Sequence, residues 1–348
     1  MLAWRLANKA SHQTSKAKVT IKHGDEIIGD GPYPKSFTEF VGQEQAKVQL
    51  LASMISATKR NAALGHVLLA SGYPGIGKTT LAKLIAVKLD AGYAEVGGTA
   101  TAQDVLPILQ AMKDGDVLFI DEIHRMCAFG KRNAEWLLQL LQDGVIALGT
   151  GVVECPKITI VAATTDAQKL PKTILDRFLI QPVLESYTPA EGVEIAEVTA
   201  IRLGFGDDDL PMPTQRAWLH QIAAASDYNP RVIGRLLATV RDYVLASEDP
   251  ASKMSEAGYD VALALKWTGL SSDGLDQVAR DYLMLLYGYG GMAGAVTLKA
   301  ALNESAIEHT ERLLIQKGFI QVTPKGRELT TLGTERAEAL LADIEETA

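Results

Sequence analysis

The sequence predicts an α/β domain with a buried parallel sheet, followed by a smaller helical unit and a third unit of three helices and a hairpin. Three observations carry this prediction. In the first half, short apolar runs such as Val67–Ala70 and residues 158–163 stand between stretches of helical periodicity. Residues 72–79 form a GxxxxGKT loop set between one such run and the helical pattern Leu81, Leu84, Ile85, Leu89. From Thr188 a helical unit begins, and a last strand at residues 319–322 leads into a basic turn. The boundaries read as a basic extension at 1–33, a large α/β domain at 34–187, a helical lid at 188–272 and a winged-helix module at 273–348.

A chain of 348 residues, 47% of them hydrophobic, fills two or three cores at the usual size of roughly 100 to 200 residues per domain. Its apolar runs fall far short of the roughly 20 residues that a membrane-spanning helix requires, so no membrane association is expected. The first acidic residue is Asp25, preceded by Arg5, Lys9, Lys16, Lys18 and Lys22. This basic start lacks the apolar centre of a secretory signal and is expected to be a flexible arm, with a mitochondrial transit segment as the alternative. Cys127 and Cys155 are too few for a disulfide framework or a metal cage, and a reducing, cytoplasmic compartment is expected. The net charge of −8 argues against broad electrostatic attraction to nucleic acid. Any polyanion must be gripped by a local patch.

The element order around residues 67–89 is strand, glycine-rich loop, helix, the setting in which this loop cradles phosphates. Glycines let backbone N–H groups turn around the anion, and the helix N-terminus adds a favourable field. Lys78 is expected to reach the β and γ phosphates of ATP, and Thr79 to ligate Mg2+. A second strand, residues 116–120, runs into Asp121 and Glu122, which places two carboxylates where open α/β sheets hold ligands. Asp121 suits the magnesium shell and Glu122 suits activation of the attacking water; a solvated helix cap is the bland reading of the same pair. His124 and Arg125 follow at a helix start, and the sequence assigns them no role. Trp136, Leu137, Leu140 and Leu141 read as the core face of a helix. A third strand, residues 158–163, ends in Thr164 and Thr165, whose hydroxyls would stand beside the first two strand ends.

Thr188, Pro189 and Glu191 read as a capping box with proline in the first turn. Beyond residue 276, helices are expected through Leu286, over 296–302, and over 307–316 with Ser305 as cap and Gly318 as the stop. The strand at 319–322, the turn at 323–327 and a final helix from about Gly333 complete a winged helix, a relative of the helix-turn-helix folds. Lys325 and Arg327 in that turn are the candidates for DNA backbone contact. The module holds seven lysines and arginines against eleven aspartates and glutamates, with Glu308 and Glu311 on its third helix, which argues against base-specific reading by that helix. Winged helices also bind proteins, so both kinds of partner stay open on these residues alone.

Residues 72–79, 115–125, Ala163-Thr164-Thr165, Asp176-Arg177-Phe178, Asn229-Pro230-Arg231-Val232 and 323–327 together resemble the signatures of AAA+ ATPases, and closely the RuvB family of Holliday junction motors. The resemblance runs from about Pro34 to about Arg336. It implies an AAA+ P-loop domain, a helical lid and a DNA-binding winged helix. It also implies a homo-oligomeric ring, a hexamer, that uses ATP and Mg2+ to act on duplex DNA and four-way junctions. Carried onto matching positions, it makes Glu122, Asp121, Thr165 and Arg177 catalytic, with Thr165 as first sensor and Arg177 as the arginine finger that acts on a neighbour's nucleotide. Phe40 and Val41 would lie over the adenine. Gly72, Pro74, Gly75, Ile76, Gly77, Lys78, Thr79, Thr80, Tyr187, Pro230 and Arg231 would complete the nucleotide site, with Arg231 as second sensor. Thr79 and Asp121 would hold the metal.

The match departs in three places. The family's junction-binding partner, RuvA, docks on a longer β-hairpin than residues 144–153 provide, which argues against dependence on a RuvA-type partner. The basic extension has no counterpart in the family, and Leu175 stands where the family often carries another arginine. A nucleotide-gated loader or scaffold that recruits protein partners is the alternative function.

Overall fold

The computed structural model describes residues 20–128, 131–148, 151–246, 254–255, 258–302 and 304–347. The first 19 residues of the basic extension, and with them the expectation that they are flexible, lie outside the described residues. The chain divides into two compact units, Met1–Ser186 and Tyr187–Ala348.

In the first unit the elements run α1 (Glu44–Lys59), β1 (Val67–Ala70), α2 (Lys78–Lys88), β2 (Tyr93–Gly97), α3 (Ala102–Ala111), β3 (Val117–Asp121), α4 (Ile123–Ala128), α5 (Lys131–Asp143), a hairpin of β4 (Val145–Leu148) and β5 (Gly151–Glu154), β6 (Thr159–Thr164) and α6 (Lys172–Leu175). The parallel sheet has the order β1-β6-β3-β2. Residues 180–183 extend it beyond β1 through parallel bridges Val67–Ile180 and Ala70–Val183. Strands covered on both faces must be apolar at every position rather than at alternate ones, and Val117, Leu118, Phe119 and Ile120 are all fully buried. Each such side chain contributes about 1.5–3 kcal/mol relative to exposure. Trp136, Leu137, Leu140 and Leu141 join the same core, as their spacing predicts.

The outer edge of β2 is not left bare. Lys22 and Tyr93 exchange backbone hydrogen bonds at 2.9 Å in each direction, and a 3-10 turn at Gly24–Ile27 brings Ile27 and Ile28 into the core. The expectation of a flexible arm over 1–33 is therefore corrected for residues 20–33. Two isoleucines and an unpaired sheet edge give that segment something to bury and something to bond. His66 is likewise a structural residue: its Nδ1 accepts the Ile160 amide at 3.0 Å, and burial pushes its pKa down and keeps the ring neutral.

The second unit has two cores. The first gathers α7 (Pro189–Arg202), α8 (Ala217–Ala225), α9 (Pro230–Leu245), a two-stranded piece of β7 (Met254–Ser255) and β8 (Gly258–Tyr259), and α10 (Val261–Thr268). Thr188 and Glu191 form the predicted capping box at the head of α7. Phe205, Trp218 and Tyr259 pack ring to ring at 5.2–5.5 Å. The second core belongs to α11 (Gln277–Gly288), β9 (Met292–Ala293), α12 (Ala295–Ala301), α13 (Glu304–Gln316), β10 (Ile320–Thr323), β11 (Gly326–Leu329) and α14 (Thr331–Thr347). Three helices and the three-stranded sheet β10-β11-β9 make a winged helix. The sequence prediction missed β9, which follows the glycine-rich link, and it began α13 at Ile307 with Ser305 as cap, where the helix already runs from Glu304.

Candidate active site

At the end of β1 the Ser71 amide donates to Thr164 O at 3.2 Å, and the Tyr73 amide donates to Ser71 Oγ at 3.0 Å. Gly75 and Gly77 then adopt φ of 80° and 99°, the left-handed region that side chains disfavour, and Gly77 heads α2. A Cβ added at Gly72 would meet nothing within 4 Å, so the mouth of the loop is open there. Lys78, only 7% exposed, turns its Nζ back onto Tyr73 O at 3.1 Å. Ile76 is buried, Gly75, Thr79 and Thr80 are half-buried and Pro74 is exposed. A buried ammonium at a helix N-terminus inside a left-handed glycine loop is the donor set of a phosphate cradle.

The strand registers bring the acids to the same sheet edge. Ala70 lies beside Thr164 and Ile120 beside Ala162, so β1, β6 and β3 end together, with Asp121 next to Gly97 of β2. Glu122 turns the chain with a φ of 50°, its amide donating to Asp121 Oδ1 at 3.1 Å. A Cβ at Gly98 would fall 2.2 Å from Glu122 O, so only glycine lets β2 end against that turn. Glu122 Oε2 accepts the Thr165 amide at 3.2 Å and the Thr165 hydroxyl at 3.0 Å. His124 Nδ1 lies 3.1 Å from the same oxygen and 2.9 Å from Thr164 Oγ1. The structure thus joins Glu122 with Thr165 and Thr164, which sequence reasoning placed at neighbouring strand ends, and adds Gly98 and His124, to which it gave no role. The doubled glycine Gly97-Gly98 at the end of β2 is the one signal in the sequence that points to Gly98.

Phe40 is buried and Val41 half-buried, in a segment tied down at its end by Gln43. The Gln43 side chain donates to Glu185 O at 2.7 Å and accepts the Glu185 amide at 3.1 Å. Arg177 is exposed, with Nη2 donating to Gln142 Oε1 at 2.7 Å. In the second unit, Tyr187 is buried, Pro230 opens α9, and Asn229 Oδ1 accepts the Arg231 amide at 3.0 Å. Asp227 and Tyr228, both at positive φ, make the tight turn before that helix, and Arg231 is exposed.

Lys325 is exposed at the β10-β11 turn. Arg327, expected at a DNA backbone, is instead committed within the module. Its Nε and Nη2 donate to Glu311 Oε1 and Oε2 at 3.0 and 2.8 Å, and Tyr282 donates to Glu311 Oε1 at 2.9 Å. A planar guanidinium matched to a mostly buried carboxylate is a strong, geometry-specific pair, and the Glu311 carboxylate beside it raises the Arg327 pKa.

Among the described residues no three His, Cys, Asp or Glu side chains gather as a metal cage. Magnesium takes one or two protein oxygens and completes its shell with water and phosphate. Thr79 at the head of α2 and Asp121 at the end of β3 offer such oxygens. Burial pushes both cysteine thiols above their usual pKa, so neither is an activated nucleophile. No helix among the described residues is long and apolar enough to cross a membrane.

A phosphate cradle and an acid pair at the carboxyl edge of a parallel sheet, in a chain that ends in a winged helix, define an AAA+ P-loop ATPase. Residues 33–184 match the profile of the Holliday junction DNA helicase RuvB P-loop domain, and residues 272–337 that of the RuvB C-terminal winged helix domain. The chain is 36% identical over 323 residues to the Holliday junction branch migration complex subunit RuvB of Streptomyces coelicolor, covering 88% of this chain and 86% of that one. It is 36% identical over 314 residues to the Streptomyces griseus protein of the same description, covering 85% and 82%. The solved structure of the Thermotoga maritima RuvB Holliday junction branch migration motor superposes with a TM-score of 0.71 at 31% identity, covering 88% of this chain and 98% of that one. This chain belongs to the RuvB family.

Proposed function

We propose that this protein is an ATP- and magnesium-dependent motor that translocates duplex DNA and drives branch migration of Holliday junctions during recombination and repair. The observation that carries the reading is a hydrolytic site, with Glu122 held beside the end of β6, in one chain with a winged helix of this family. Lys78 and the backbone N–H groups of Gly75, Ile76 and Gly77 would bind the phosphates, and Glu122 would take a proton from the water that attacks the γ-phosphorus as the bond to the β-phosphate oxygen breaks. Magnesium, held by Thr79 and Asp121, would neutralise charge developing on the phosphates.

Thr165 serves as first sensor, and Arg231, with Pro230 and Tyr187, forms the lid's contribution. Exposure of Arg177 supports a finger that reaches a neighbouring subunit in a ring, a hexamer by family. Exposed Leu179 and Val183, 81% and 73% accessible, lie near it in the chain and fit a subunit contact. Phosphate contact at the wing rests on Lys325, and contacts of that kind position a protein without reading sequence. The β4-β5 hairpin has strands of only four residues, which supports a motor that works without a RuvA-type partner. The domain plan is an ATPase domain to about 187, a lid to 272 and a winged helix beyond, in the cytoplasm.

The test is ATP hydrolysis and strand displacement on a synthetic four-way junction with magnesium. Stimulated hydrolysis with displaced strands is expected. ATP-dependent capture of a protein partner with no response to any DNA would overturn the motor in favour of a loader.

A further inference from the structure

Thr165 bonds one oxygen of Glu122 through both its amide and its hydroxyl, and His124 Nδ1 stands 3.1 Å from the same oxygen. A carboxylate oxygen only accepts, so a lone pair on Nδ1 would face another lone pair. The tautomer that suits this contact carries its proton on Nδ1. Thr164 Oγ1, 2.9 Å from the same nitrogen, also accepts the Asp166 amide at 3.0 Å, and the imidazole is thus held by its hydrogen bond with Thr164 against the Glu122 carboxylate. The His124 side chain is 13% exposed and that of Glu122 24%, so water competes weakly for these bonds. Oε2 accepts both Thr165 donors and lies against His124, and Oε1 is the oxygen left to receive a proton.

We propose that His124 is a positioning residue for hydrolysis, clamping Oε2 of Glu122 together with Thr165 so that the carboxylate presents Oε1 to the attacking water. This deepens the reading of Glu122 as the base and rests on it. The clamp acts on the base rather than on the phosphates. Its loss lowers the rate of the chemical step and leaves binding alone.

The experiment compares steady-state ATPase, nucleotide affinity and melting temperature in the full-length protein and four variants. His124→Asn keeps an N–H donor on the δ atom, His124→Leu removes it, and His124→Asp replaces it with an acceptor that repels Glu122. His124→Leu is expected to lower kcat roughly tenfold, the scale of losing one close polar contact to a charged group, with KM and affinity unchanged. His124→Asn is expected to restore kcat to within about twofold of the parent, and His124→Asp to fall below His124→Leu. Should the leucine variant fail to fold, the Asn and Asp variants, equal in size and both polar, carry the comparison alone.

The fourth variant, Glu122→Gln, separates the two readings. If it turns over ATP like the parent, Glu122 is not the base and the reading beneath falls. If it is inactive while His124→Asp matches His124→Asn, or while His124→Leu raises KM and spares kcat, Glu122 stands and the clamp is overturned.

Discussion

Glu122 holds a left-handed backbone conformation, which costs a non-glycine residue about 1–3 kcal/mol and persists only where its surroundings over-determine it. Here the surroundings can be named. The Arg125 amide donates to Glu122 O at 2.9 Å, Gly98 abuts the same carbonyl, and Thr165 grips the carboxylate. Gly98→Ala would set a methyl 2.2 Å from that oxygen and 3.0 Å from Arg125 Cβ. The obstruction is backbone, which cannot swing aside as a long side chain does. We predict a loss of about 1–3 kcal/mol in denaturant unfolding. Turnover should fall more than tenfold with nucleotide affinity kept, because displacing a reacting group by about 1 Å costs rate on the order of 100-fold. Parental kcat in a folded Gly98→Ala protein would show that the turn tolerates movement and that Glu122 is not held where it matters.

At the scale of the element, the two cations of the wing stand in different surroundings. Arg327 is paired bidentately with Glu311, while Lys325 stands exposed. Lys325→Ala is expected to weaken duplex binding equally for all sequences and to reduce the slope of log affinity against log salt by about 1, with unfolding unchanged. Glu311→Gln should do the reverse, destabilising the module by about 2–3 kcal/mol by leaving a part-buried cation unpaired while the salt slope stays put. A second pair gives a pH dependence. Burial would raise the Asp273 carboxyl, but hydrogen bonds from Arg336 and Ser271 outweigh it and hold the group below its usual range. A depressed carboxyl stabilises the fold above the unfolded value near pH 4, and that contribution disappears as pH falls through the folded value. The acid limb of unfolding should accordingly flatten in Asp273→Asn. Strand ends, the glycine loop and the capping box at Thr188 were legible in the sequence because each depends on residues a few positions apart. The Arg327-Glu311 pair was not: its partners lie 16 residues apart on different elements, and a basic turn looks the same whether its arginine faces DNA or a neighbouring helix. The clamp on Glu122 was hidden for the same reason, since His124 and Thr164 are 40 residues apart and meet only because β6 lies beside β3.

For the whole molecule, one chain brings together the proposed base and the glycine loop, and its proposed finger lies at the surface. Arg177 meets Gln142 of its own chain through an exposed hydrogen bond, an interaction that water weakens and a phosphate on a neighbour would outcompete. If the finger acts between subunits, a site is complete when one chain supplies Glu122 and the next supplies Arg177. Arg177→Ala and Glu122→Gln should then each abolish turnover alone, the first by a factor on the order of 10³ or more. They should recover it when mixed. In an equimolar, freely exchanging mixture, roughly a quarter of neighbouring pairs would join an intact base to an intact finger, and hydrolysis should return to about that fraction of the parent. A finger that served its own chain would give no recovery at any ratio, because every chain in the mixture would lack one of the two groups. Titrating one variant into the other while following phosphate release distinguishes these outcomes. A curve that rises to a maximum near equal amounts supports a shared site, and a flat line near zero would place Arg177 on its own subunit's nucleotide and remove the chemical reason for a ring.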